Sequence, residues 1–255
     1  MSGMRVRGYA PATPCWAEYA AADTGVAAAF YSGLFGWAPG EVFTLDGRAV
    51  AGMVPGQPGR PGAWLGYVSA PSADDMVATV VEAGGSVLAP PHDRGGMGRA
   101  ALVTDAEGAV FGLWQRGSLG GAEAANEPAT MCWTEVVTWR EDTAVDFYGK
   151  AFRWSERKSE IAEGVDHIEW FIDSRVVGGM SVMDERYPAG TPAHWRITFE
   201  VADCAATVAR CTELGGMVQI GPLELPVGDY ALLTDPQGGS FGVIALSDAI
   251  LATRL

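Results

Sequence analysis

Short apolar runs broken by turn residues occupy most of the chain, and only a few stretches change to a helical period. The first run with strand character is Trp16–Ala20, followed by a helix over Thr24–Leu34. The segment EVFTLDGRAVAGMV then reads as two short strands about a turn. A further strand is predicted at Trp64–Val68 and a second helix at Ala73–Ala83, stopped by Gly84-Gly85, because glycine readily takes the left-handed conformation that ends a helix. RAALVTD and AVFGLW close the set as a hairpin turning at Ala106-Glu107-Gly108.

The same order then begins again. CWAEYAAADTGVAAAFYSGLFGW, Cys15 to Trp37, returns as CWTEVVTWREDTAVDFYGKAFRW, Cys132 to Trp154. Later blocks match in the same order: Ala51–Met53 with Gly178–Met180, AWLGYV with HWRITF, EAGGSVLAPP with ELGGMVQIGP, and TDAEGAVFGL with TDPQGGSFGV. The offset drifts from block to block, as loop insertions require, and chance does not keep so many blocks in order. Each copy divides again at its middle into two similar halves, so the expected architecture is α+β, four βαβββ units in two tandem modules. The modules are expected at residues 9–117 and 129–247, joined by a small, polar, Gly/Pro-punctuated linker at 118–128.

Composition narrows the function classes. A formal charge of −14 disfavours nucleic acid and anionic membrane surfaces as partners, since both attract a basic face. No apolar run reaches the roughly 18 residues of a membrane span, and MSGMRVRGYAPATPCW carries no apolar segment of a secretory signal, so a cytoplasmic protein is expected. The four cysteines lack C-x-x-C spacing; Cys15 and Cys132 read as small hydrophobes, and Cys204 and Cys211 as one face of a helix. No nucleophile elbow or dinucleotide fingerprint is present, and the glycine-rich DRGGMGRA lies in a hairpin, the wrong context for a phosphate loop.

With FY..LFGW after the first strand and TD..G..FG in the last hairpin, the chain resembles the vicinal oxygen chelate superfamily of glyoxalases, bleomycin-resistance proteins and extradiol dioxygenases. It is most similar there to two-domain glyoxalase-like proteins of actinobacterial type, some of which belong to gene clusters for aromatic polyketides. The resemblance implies that each pair of units forms a curved-sheet cup holding a divalent metal on His and Glu ligands. Carried onto this chain, the first ligand position falls on Trp16 and Trp133, the carboxylate position on Gly112 and Gly242, and the third near Leu65 and Arg196. Indole has no lone pair for a metal and glycine has no side chain at all. The three histidines, His92, His167 and His194, show no ligand spacing, so neither a metal nor another cofactor is expected.

Residues two apart on a strand face the same side, so Trp16 points with Glu18 and Trp133 with Glu135. If that side is the cup, each cup gains an indole wall and a carboxylate, with room left opposite at Gly112 and Gly242. Tyr67, Trp195, Met53 and Met180 are further candidates for lining, and Arg196 could pair with Glu135 or bind a ligand oxygen. Such a cup suits a flat, largely apolar small molecule with a polar or cationic handle. Two functions follow as expectations. One is binding of an aromatic metabolite or antibiotic, for self-resistance or within secondary-metabolite biosynthesis. The other is metal-free catalysis of hydroxylase, isomerase or cyclase type on an aromatic polyketide, with Glu135 or Glu18 as general base and Arg196 stabilising developing charge. Two fused modules complete the superfamily's usual pairing, so a monomer is acceptable and a homodimer remains open.

Overall fold

A computed structural model describes residues 5–162 and 165–252. The first module builds a seven-stranded sheet in the order β2-β3-β1-β4-β7-β6-β5. Its strands are β1 (Pro14–Ala21), β2 (Val42–Leu45), β3 (Arg48–Pro55), β4 (Ala63–Ser69), β5 (Ser86–Asp93), β6 (Gly98–Thr104) and β7 (Val110–Arg116), with helices α1 (Thr24–Phe35) and α2 (Ala73–Glu82). The second builds an eight-stranded sheet in the order β13-β14-β15-β12-β8-β11-β10-β9. It contains β8 (Met131–Thr138), α3 (Glu141–Phe152), β9 (Ser155–Ala162), β10 (Val165–Ile172), β11 (Arg175–Val182), β12 (His194–Glu200), α4 (Cys204–Glu213), β13 (Met217–Leu225), β14 (Gly228–Thr234) and β15 (Ser240–Leu246), before a short α5 (Asp248–Ala252). The α+β architecture is therefore the expected one, with the first unit a strand short: where the strand directly after the helix would lie, Ala38 makes only an isolated bridge to Thr44. His92 lies in strand β5, one residue before its end, and is exposed.

Helix boundaries follow local chemistry. Asp23 accepts hydrogen bonds from the Gly25 and Val26 amides at the start of α1, and Gly36, at φ 73°, closes it. Ser72 and Asp203 cap α2 and α4 in the same way. Cys204 and Cys211 are both buried on one face of α4, as their spacing predicts. Among the described residues no helix is long and apolar enough to cross a membrane.

The helix faces of the two sheets are packed across the modules, so the two cores behind the sheets are shared. One core joins β1, α1 and β3 to residues of β12, α4, β14 and β15, through Phe30, Tyr31, Trp64, Phe199 and Phe241. The other joins β6 and β7 to α3, β10 and β12, through Phe111, Tyr148, Trp170 and Trp195. Two matched hydrogen-bond chains run through these cores. The Trp64 indole donates to the Tyr31 hydroxyl (2.8 Å), which donates to Asp235 (2.6 Å). Trp195 likewise donates to Tyr148 (3.0 Å), and Tyr148 to Asp105 (2.9 Å). The tryptophan that closes each repeat block also reaches the other module: Trp37 donates to the Ala129 carbonyl and Trp154 to that of Ala12. Much of what the two copies share is thus the means by which each grips the other.

Candidate functional site

The cups lie on the sheet faces turned away from these cores, and strand alternation decides which side chains enter them. On β1, Trp16 and Glu18 enter the first cup while Ala17 and Tyr19 enter the core. Register places Trp16 opposite Tyr67, Tyr67 beside Gly112, and Glu18 opposite Leu65. In the second cup Trp133 stands opposite Thr198, Thr198 beside Gly242, and Glu135 opposite Arg196. Both Trp-x-Glu pairs therefore face a cup.

The first cup is filled by its own side chains. Trp16, Tyr67 and Trp114 are each 2% exposed and pack together, with the Trp16 and Trp114 rings 6.4 Å apart and Tyr67 edge-on to Trp114 at 6.0 Å. The room expected at Gly112 is taken by Tyr67, whose ring would lie 2.0 Å from a Cβ there. Glu18 is buried beneath them and fully engaged. It accepts from the Tyr67 hydroxyl at 2.7 Å and, in a two-pronged pair, from Arg94 at 2.8 and 3.2 Å. Gly52 permits this packing, since a Cβ would come within 2.8 Å of Glu18 Oε1. Burial first, and the Glu18 charge second, push the Tyr67 hydroxyl well above the usual phenol range; the hydrogen bond to Glu18 raises the Arg94 guanidinium further.

The second cup is built from different side chains. Trp133 is only half-buried, and its ring sits beside His167 at 5.9 Å, both leaning over Gly179, where a Cβ would meet either ring at 2.7–2.8 Å. Glu135 is buried and accepts from Arg196 at 2.6 Å and from the Ser181 hydroxyl at 3.0 Å. A second Arg196 nitrogen donates to the Tyr187 hydroxyl at 3.3 Å. Burial works against the Arg196 charge, but Glu135 and the neighbouring Tyr230 and Tyr187 outweigh it and the guanidinium is held more firmly protonated. Tyr230 lies beside Arg196 with its hydroxyl oxygen buried and no hydrogen-bond partner at normal geometry. Gly242 is hemmed by Thr198 Oγ1 at 2.4 Å and the Tyr230 hydroxyl at 3.1 Å from the place of a Cβ. The Tyr230 oxygen thus stands over the position from which the superfamily's carboxylate ligand would project.

Three sequence expectations need correction. Trp195, expected as cup lining, alternates off Arg196 to the opposite side and packs in the second core against Tyr148. Met53 and Met180 stand in register with Tyr19 and Val136, so both turn toward the cores. The third place in the row of Trp16 and Gly112 belongs to Tyr67, and in the row of Trp133 and Gly242 to Thr198; Leu65 and Arg196 sit one pair along, opposite the glutamates. Sequence reasoning missed Arg94, Ser181, Tyr187 and Tyr230, and considered His167 only as a metal ligand. Alternation in GDYALLT could have set Tyr230 opposite the buried Ala231 and Leu233, whereas Arg94 and Tyr187 come from a hairpin and a loop and carry no periodic signal.

The residues in the superfamily's metal row, Trp16–Tyr67–Gly112 and Trp133–Thr198–Gly242, offer no imidazole and no carboxylate, and among the described residues no three His, Cys, Asp or Glu side chains converge as a ligand set. This donor chemistry does not fit a divalent ion.

No protein-family model matches the chain. Among curated proteins it is 36% identical to "Putative glyoxylase CFP32" of Mycobacterium tuberculosis, covering 92% of this chain and 95% of that one. It is 34% identical to the anthracycline biosynthesis protein DnrV of Streptomyces peucetius, covering 94% and 95%. Among solved structures, the Mn(II)-bound glyoxalase of Novosphingobium aromaticivorans superposes with a TM-score of 0.64 at 15% identity, over 92% of this chain and 82% of that one. The 2,3-dioxygenase LapB of Pseudomonas sp. KL28 does so with 0.65 at 12%, over 91% of each. At such identities the structural likeness concerns the fold alone, but the relatives match along almost the whole sequence. With its paired modules and cup-facing first strands, the chain belongs to the vicinal oxygen chelate superfamily, as a glyoxalase-like protein.

Proposed function

We propose that the second cup binds a flat, largely apolar aromatic molecule without a divalent ion, and that the protein serves self-resistance or secondary-metabolite biosynthesis. The observation that carries this reading is the half-buried Trp133 beside His167, above a carboxylate already neutralised by Arg196. An open aromatic wall over a satisfied polar floor favours a planar ligand that stacks. The first cup, packed by Trp16, Tyr67 and Trp114, has the role of a structural counterpart. The names of the Streptomyces relatives, anthracycline biosynthesis proteins, support a polycyclic aromatic compound as the ligand class. The site of action is the cytoplasm.

Turnover with Glu135 as general base is the second reading. It draws on the carboxylate's place beneath the indole wall, yet both Glu135 oxygens already accept hydrogen bonds, one from Arg196 and one from Ser181. A base here would first have to give one of them up.

Native mass spectrometry of the full chain, purified without added metal, tests the reading. The expected spectrum shows metal-free protein with an organic adduct that Trp133→Ala loses and Trp16→Phe keeps. A stoichiometric divalent ion, or an adduct indifferent to Trp133, would overturn it. Glu135→Gln separates the two readings: binding retained with a large loss of turnover of that compound would replace sequestration by catalysis.

A further inference from the structure

The hydrogen-bonding inventory of the two cups differs in a way that identifies the ligand's polar group. In the first cup the tyrosine hydroxyl has its acceptor: Tyr67 and two Arg94 nitrogens all end on Glu18. In the second cup Glu135 is satisfied by Arg196 and Ser181 alone, and donors are left over. The Tyr230 oxygen is buried beside Arg196, which can only donate to it, and its own O–H has no acceptor at normal geometry. Arg196 uses one N–H on Glu135 and one, at the long distance of 3.3 Å, on Tyr187, and a guanidinium carries more donors than these. A buried donor without an acceptor is costly, and native proteins rarely keep one unless something else completes it.

The surplus has a consistent place. Tyr230 stands where Ala100 stands in the first module, and Arg196 where Leu65 stands, so neither donor has a counterpart in the sealed cup. Tyr230 lies beside Gly242, the position of the superfamily's carboxylate ligand, with its oxygen 3.1 Å from where a Cβ would be, and Arg196, one pair along on β12, neighbours Tyr230. A cationic handle on the ligand, which a lone carboxylate would have welcomed, finds Glu135 already paired with Arg196.

Resting on the reading that the second cup binds a flat aromatic molecule, we infer that this ligand is oxygenated at one edge, and that it presents a carbonyl or phenolate oxygen to the Tyr230 hydroxyl and the remaining Arg196 N–H groups. A cation and a phenol then do by hydrogen bonding what a chelated metal does elsewhere in the fold: they hold an oxygen-bearing edge and stabilise its negative charge. The class of compound is a quinone or hydroxyquinone.

The test uses alizarin, a hydroxyanthraquinone whose colour reports its ionisation, and anthracene, which has the same three-ring outline and no oxygen. Alizarin is expected to bind the full chain more tightly than anthracene, and to ionise about one pH unit lower when bound than when free, because Arg196 favours the phenolate. Tyr230→Phe should weaken alizarin binding about fivefold to tenfold and leave anthracene unchanged, the loss of one hydrogen bond to the ligand. Arg196→Lys, which keeps a cation against Glu135, should move the bound dye's ionisation back toward that of free dye. If alizarin and anthracene bind alike and bound alizarin ionises as it does in solution, the inference fails while the aromatic cup stands. If neither compound binds the unmodified protein, the cup reading fails and this inference with it. Should Tyr230→Phe not fold, the ionisation shift in the unmodified protein and in Arg196→Lys still decides the question.

Discussion

The two cups begin from the same strand, Cys-Trp-x-Glu, and end as opposites. In both, a glutamate is buried on the cup floor and an arginine neutralises it. In the first, the arginine reaches over from the hairpin between β5 and β6, Tyr67 fills the space above Gly112, and nothing is left open. In the second, the arginine comes from the wall of the cup at β12, the Tyr67 position has shrunk to Thr198, and Trp133 stays partly exposed. Burying a carboxylate demands a partner, but it does not dictate from where the partner comes. Behind the sheets the copies hardly differ, since the same Trp–Tyr–Asp chain runs through each core.

This contrast can be broken at its tryptophans. Trp16→Ala should cost about 3–5 kcal/mol, the range for deleting a large aromatic from a packed interior. Trp133→Ala should cost less, because part of that side chain is already exposed in the folded protein. Urea unfolding of both variants gives the comparison, and equal losses would mean that the second cup is as closed as the first. The arginines give a smaller effect. Arg94→Met leaves Glu18 buried and charged without its cation and should cost about 3 kcal/mol, most of it restored by adding Glu18→Gln. If the second substitution restores nothing, Arg94 acts through packing of the lid and its pairing is incidental.

The smallest effect sharpens the comparison from behind. Asp105 accepts from Tyr148 and from the Glu107 and Ala109 amides, yet burial outweighs these bonds and raises its carboxyl above the usual range. A raised acid holds its proton better in the folded state, so its contribution to stability is complete below the ordinary carboxylate value near pH ~4 and declines as pH rises through the folded value. Asp105→Asn removes that dependence. The stability of the parent protein relative to the variant should therefore fall as pH is raised from about 4 toward neutrality. Urea midpoints taken along that interval check it, and a gap that stays constant or widens would contradict the assigned direction.

Several features were legible before any coordinates. Period-two alternation puts Trp16 with Glu18 and Trp133 with Glu135 on one side, and the structure places both pairs in cups. The same alternation, applied to HWRITF, could have excluded Trp195 from the cup once Arg196 was placed in it. The methionines were assigned by chemistry without regard to parity, and both turned out to face the cores. Arg94 could not have been found in this way. It lies 76 residues from Glu18 in sequence, and only the curl of β5 and β6 back over the cup brings the two together.

By itself, then, the sequence determined the repeat, most of the order of strands and helices, that each Trp shares a side of the sheet with its Glu, and that the first-ligand and carboxylate positions hold tryptophan and glycine. These depend on local chemistry and on spacing along one strand. The tertiary structure alone decided that the cores behind the sheets are shared, that the first cup is packed by its own aromatic side chains while Trp133 in the second stays partly exposed, and that Tyr230 stands over Gly242 with Arg196 as its neighbour. Those outcomes turn on which distant side chain reaches a buried carboxylate first, and such a contest is settled by the packing of the whole chain.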